Sequence, residues 1–150
     1  MKELYETIVA RLTAQVPELK MIDFDMGQLD VLAMDIRPGV VFPVALVDIS
    51  FPRCEDLSED TQQVSAFVKI RLAFECPLPT DSRASTARRT AALEIFADVD
   101  KVYAALQGYY TSGFSSFSRR SQSPDNRYAG IKIIEMVFET TFDDLSAHQA

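Results

Sequence analysis

Along the first sixteen residues the apolar positions Leu4, Ile8, Leu12 and Val16 return every fourth residue, the period of one helical face. Tyr5 and Val9 widen that stripe, Lys2, Glu3, Glu6 and Arg11 fall elsewhere, and Pro17 forces the residue before it out of helical geometry. The pattern predicts a helix over about residues 3–15. In residues 19–36 Met21, Ile22, Asp23, Phe24 and Asp25 suggest a short strand, Gly27-Gln28 a polar turn, and Leu29, Leu32 and Ile36 a helical turn. After the turn signal Pro38-Gly39, residues 40–50 (VVFPVALVDIS) are almost wholly apolar and β-branched, as a strand buried on both faces should be. Pro43 has no amide hydrogen for a ladder, so it belongs on an edge or near the start of pairing.

A polar loop over 53–61 then carries Glu55, Asp56, Glu59 and Asp60. In residues 62–76, Val64, Ala66, Val68, Ile70, Leu72 and Phe74 face one way and Ser65, Phe67, Lys69, Arg71 and Glu75 the other. That is a long antiparallel strand with one core face and one mixed face, and Phe67 predicts partial cover on the mixed side. Pro77 and Pro79 end it, and Thr80 or Asp81 is placed to cap one long helix that runs on to Gly108. Ala84, Ala91, Ala92, Ile95, Val99, Val102 and Leu106 form its apolar stripe, Leu93, Phe96 and Tyr103 broaden it, and Asp98 and Asp100 mark where it would bend. Two closing strands, about 114–121 and 128–142, are joined by SPDNR, and residues 143–150 read as a frayed tail. The whole chain, 1–150, reads as a single α+β domain. Its sheet is mixed and mainly antiparallel, with about four to five strands and the N-terminal and long helices packed on it.

With 150 residues, 47% hydrophobic and 25% charged, such a domain holds a self-sufficient core. Lys and Arg total 15 against 22 Asp and Glu, a net charge of −7, which argues against nonspecific nucleic-acid binding and docking on anionic membranes. No apolar run approaches the roughly 18 residues of a membrane helix, and the acid-bearing start MKELYETIVARL is unlike a signal peptide, so a cytoplasmic protein is expected. Cys54 and Cys76 are expected as unbridged, buried or half-buried thiols.

Chemistry is sparse. The single histidine, His148, sits in the expected tail, which is no place to hold a general base. The run Asp23 to Gln28 approximates a calcium loop, but its glycine and its twelfth position, Met34, are wrong for one. Five glycines at unsuitable spacings exclude a phosphate cradle, and the cysteines lack zinc spacing. Glu135 and Glu139 share a strand face but have no visible neighbour that would perturb a pKa. No cofactor or metal is expected and no enzymatic activity. Arg119, Arg120 and Arg127 surround the last hairpin beside Phe114 and Phe117, and arginine outnumbers lysine ten to five. Aromatics beside arginines can stack single-stranded RNA, but the net charge and the lack of an RNP pattern favour a protein contact or an ordinary solvated hairpin. In a protein contact, Glu55, Asp56, Glu59 and Asp60 of a second copy are the candidate partners.

The succession of the opening helix, IDFDMGQLD, VVFPVALVDI, QVSAFVKIRLAFE, TAALEIFADVDKVYAALQG and SRRSQSPDNRYAGIKIIEMVFETTF resembles the tail terminator, or tail completion, proteins of long-tailed bacteriophages and prophage elements. The loop 53–61 is longer and more acidic than that pattern. The resemblance implies a structural virion assembly protein, in the host cytoplasm during assembly and in the virion tail afterwards. It would form a ring, commonly a hexamer, that caps the tail tube protein and joins it to the head–tail connector. Arginine hairpin against acidic loop would give the two unlike patches a closed ring needs, and an acidic lumen would let DNA pass without sticking. The alternative is a small-molecule-binding α+β domain without catalysis, with its pocket between the sheet and the long helix.

Overall fold

Helix α1 (Lys2–Gln15) forms where the four-residue repeat places it, with Leu4, Ile8 and Leu12 fully buried on one face. In the computed structural model, which describes residues 1–34 and 36–148, Val16 N donates to Leu12 O at 2.8 Å as the last helical bond before Pro17. β1 (Met21–Phe24) follows, then a 3-10 turn (Asp30–Met34) where a helical turn was expected.

β2 runs Val44–Asp56, displaced toward the C-terminus from the expected strand over 40–50. Residues 53–56 are therefore strand, not loop; only 57–61 form the turn, closed by Leu57 N donating to Thr61 O at 2.9 Å. The reason is the partner: β3 (Gln62–Glu75) offers backbone groups along its full length, so Asp56 pairs with Gln62 although its own side chain is polar. A register shift at Phe51-Pro52 accommodates the proline, which cannot donate to the ladder.

The expected long helix is present and bent, its two segments α2 (Thr86–Ala92) and α3 (Glu94–Leu106) meeting at Leu93 rather than at Asp98 or Asp100. α2 is capped by Ser85 Oγ, which accepts from Arg88 N at 3.3 Å, and not by Thr80 or Asp81. Leu93 keeps right-handed helical dihedrals (φ −84°, ψ −2°) at the junction, and α3 continues from it, containing Asp98 and Asp100 without a break. Only α3 packs on the sheet, burying Val99, Val102, Ala105 and Leu106, whereas Leu93 and Phe96 face solvent instead of widening the stripe. Gly108, at φ +75°, supplies the left-handed residue that ends α3.

The last hairpin is also shifted. β4 spans Ser118–Asp125 and β5 Ile131–Asp144. Phe114 and Phe117 thus lie before β4, where they are buried in the core, with Phe117 N bonded to Tyr109 O at 2.9 Å. Asp143 and Asp144 belong to β5, not to a tail, because Gln63 and Gln62 of β3 pair with them.

The five strands lie in the order β1-β2-β3-β5-β4, with β1 parallel to β2 and every other pair antiparallel. One face carries Ala45, Val47, Val68, Ile70, Leu72, Met136 and Phe138 against α1 and α3. Among the described residues the other is covered at one end, where Leu29, Val40 and Phe42 pack on Val44, Leu46, Ala73 and Ile133. Beyond that cover Phe67, Lys69, Glu135 and Val137 form a half-exposed strip. Both cysteines are free; Cys54 is exposed, contrary to expectation, because β2 carries it out on the far end of the hairpin, and Cys76 is half-buried. Among the described residues no helix is long and apolar enough to cross a membrane.

Candidate functional site

The candidate arginines do not form one cluster. Arg119 and Arg120 open the edge strand β4 beside Phe138 and Glu139, while Arg127 follows Asp125, which pairs with Ile133. Six residues of β5 separate those levels, roughly 20 Å. All three side chains are exposed yet engaged within the molecule. The Arg119 guanidinium lies 3.9 Å from the centre of the Tyr103 ring and donates to Gln122 Oε1 at 2.8 Å. Arg120 Nε donates to Glu139 Oε2 at 2.6 Å. Arg127 grips Asp125 through Nε at 2.9 Å and Nη2 at 2.7 Å, which raises its own pKa.

The acids, in contrast, converge. Across β2, β3 and β5 the rows Glu55–Gln63–Asp143 and Asp56–Gln62–Asp144 place carboxylates on both sides of a glutamine. Glu59 and Asp60 sit in the turn beyond, so one end of the sheet is strongly negative, and glutamines between the acids keep like charges from standing directly opposite. Arg53 pairs with Glu55, and Gln62 Nε2 donates to Asp56 Oδ1 at 2.8 Å. Asp60 accepts from Ser58 Oγ at 2.8 Å and lies 2.6 Å from His148 Nδ1, and these bonds lower its pKa. His148 is thus held on the hairpin turn, although it was expected in a loose tail. Asp144 is lowered as well, chiefly by hydrogen bonding to Ser146.

One group went unassigned in the sequence. Arg71, 7% exposed in mid-β3, reaches Asp25 Oδ2 at 3.2 Å and Asp125 Oδ2 at 3.4 Å. Asp25, Arg71, Asp125 and Arg127 form a chain of alternating charge along the covered end of the second face. Hydrogen bonds from Arg127 hold the Asp125 carboxyl below the usual range against partial burial, and Arg71 adds attraction. The visible signal was a guanidinium between Ile70 and Leu72; its partners lie 46 and 54 positions away, beyond any local pattern.

The chemistry available to this surface is that of charge pairing. Asp25, the carboxylate of the calcium-loop look-alike, is taken by Arg71 and by Gly27 N at 3.1 Å. Among the described residues no three His, Cys, Asp or Glu side chains converge as metal ligands would. Glu135 lies 3.9 Å from Lys69 and Glu139 is held by Arg120. Between sheet and helices the space is filled by Leu4, Ile8, Leu12, Val68, Ile70, Val102 and Leu106, each fully buried, and a recess opens only where the end of β3 meets Glu94, Ile95 and Asp98 of α3 among the described residues. A groove of about 670 Å³ opens instead on the other face, lined by Leu32, Ile36, Phe42, Glu75, Arg127 and Tyr128.

No protein-family model matches the chain, and no curated protein is similar to it in sequence. Among solved structures, a chain from the virion of a native gene transfer agent (GTA) particle is similar in fold, with a TM-score of 0.53 and 14% identity. The likeness spans 94% of this chain and 95% of that one, so it is the whole α+β architecture, end to end, that the two chains share.

Proposed function

We propose that this chain is a non-catalytic structural subunit of a phage-like particle, and within that class a tail terminator that closes as a ring on the tail tube and meets the head–tail connector. The observation that carries the reading is the end-to-end likeness of fold to a GTA virion chain. The order of elements and the charge-pairing surface support it, since a ring subunit needs two unlike exposed patches and no reaction centre. An acidic end directed at a lumen would repel DNA phosphates and let the genome pass.

The test is mass in solution by light scattering after size exclusion, across concentration and salt, with negative-stain images of the peak. The expected result is a closed oligomer near six subunits, or a monomer that converts to one on concentration. A strict monomer at every concentration overturns the ring.

A further inference from the structure

We infer that the short helix α2 is an arm that docks on the acidic end of a neighbouring copy of this chain, an inference that rests on the ring reading above. α2 is nearly detached from its own molecule: of its seven residues only Ala92 is buried. At its C-terminal end Leu93 and Phe96 are 40% and 42% exposed, and Leu78 in the segment before it is 39% exposed, large apolar side chains left partly open to solvent. Arg88 and Arg89 lie on α2 within the two turns before Leu93 and Phe96, and Arg83 lies just ahead of α2. Arg83 is matched by Asp81, but among the described residues neither Arg88 nor Arg89 has a carboxylate partner. Arg120 and Arg127, in contrast, are already paired with carboxylates, and Arg119 is laid over the Tyr103 ring.

The surface that complements this arm lies at the far end of the same molecule. The acidic end carries Glu55, Asp56, Glu59, Asp60, Asp143 and Asp144 around two exposed leucines, Leu57 at 56% and Leu145 at 60%. Apolar residues accompanied by positive charge thus face apolar residues accompanied by negative charge. Intramolecular pairing is blocked by distance. β3 separates the two surfaces: the acidic turn precedes Gln62, whereas Phe74, Glu75 and Pro77 border the same recess as Glu94 and Ile95 at the start of α3. Fourteen residues of strand span roughly 40 Å. The match is satisfied only by a second copy, with one patch meeting a different patch, which is the heterologous contact that closes a ring.

The experiment is a charge swap read by light scattering. Arg88→Glu with Arg89→Glu, and separately Glu59→Lys with Asp143→Lys, each place like charges at the contact and raise the half-assembly concentration by about tenfold or more. All four residues are outside the core, and circular dichroism verifies that the variants are folded. Mixed together, the two variants regain wild-type assembly, because each then offers the other a complementary patch; one chain carrying all four changes assembles alone. If the wild type assembles and the Arg88/Arg89 variant assembles equally well, the arm is overturned while the ring stands. Failure of both the mixture and the fourfold variant to recover overturns the pairing of α2 with the acidic end. A wild type that stays monomeric throughout overturns arm and ring together.

Discussion

Arg71 Nη1 stands 3.2 Å from Asp25 Oδ2 although 46 residues separate them in the chain. β2 lies between the two strands that bring them together, so the contact ties the β1 edge to the centre of the sheet. Asp125, at the end of β4, reaches the same guanidinium from the opposite edge. One buried cation therefore joins both margins of a five-stranded sheet.

Removing that cation should cost more than removing either acid. Arg71→Met leaves Asp25 largely buried without a counter-charge, while Asp125 keeps Arg127; the expected loss is about 3 kcal/mol. Asp25→Asn, which leaves Arg71 paired with Asp125, should cost about 2 kcal/mol. Urea midpoints give the ranking, and equal losses would show that the Arg71–Asp125 contact adds nothing.

The lowered pKa of Asp125 fixes a direction for acid stability. Its folded-state value lies below the ordinary 3.8, so its contribution is fully present above that pH and is lost as pH falls through the folded value. Asp125→Asn should therefore cost about 1.5–2 kcal/mol at neutral pH and nothing at the foot of the acid limb. Asp98 has the opposite sign. Burial raises its pKa, so its charge opposes folding at neutral pH, and Asp98→Asn should stabilise there with the gain fading in acid. Thermal melts of both variants from neutral pH to pH 2 test the pair.

The two faces of the sheet should respond differently to truncation. Phe138 is fully buried beneath the helices, and Phe138→Ala should cost about 3–5 kcal/mol. Phe67 lies on the uncovered strip of the other face, and Phe67→Ala should cost about 1 kcal/mol in the isolated monomer. Comparable losses would mean that the second face is covered in solution.

Gly108 and Gly39 separate conformation from space. No atom lies within 4 Å of an added Cβ at either position, but only Gly108 has a positive φ. Gly108→Ala should destabilise by about 1 kcal/mol, whereas Gly39→Ala should be neutral or mildly stabilising. Unfolding midpoints of the two variants decide it.

Much of the architecture was legible in the chain because it is written in local periodicity. The four-residue repeat of Leu4, Ile8 and Leu12 and the two-residue alternation from Val64 to Phe74 name their elements and buried faces without any partner. The α+β class and mixed sheet follow from their order. What failed were boundaries set by partners. Glu55, Asp56, Asp143 and Asp144 are polar and read as loop or tail, yet β3 draws them into strands by supplying hydrogen bonds. The bend at Leu93 has no local breaker in the sequence, since neither glycine nor proline stands there.

The candidate surface divides the same way. Charge and spacing were enough to single out the acids from Glu55 to Asp60, because a dense acidic turn is visible in sequence. Which arginines are spent internally was decided in three dimensions, where Tyr103, Glu139 and Asp125 take up Arg119, Arg120 and Arg127, and Asp25 meets Arg71. Side-chain pairing depends on distances of a few ångströms between residues tens of positions apart. Periodicity carries no record of such distances; only the folded sheet sets them.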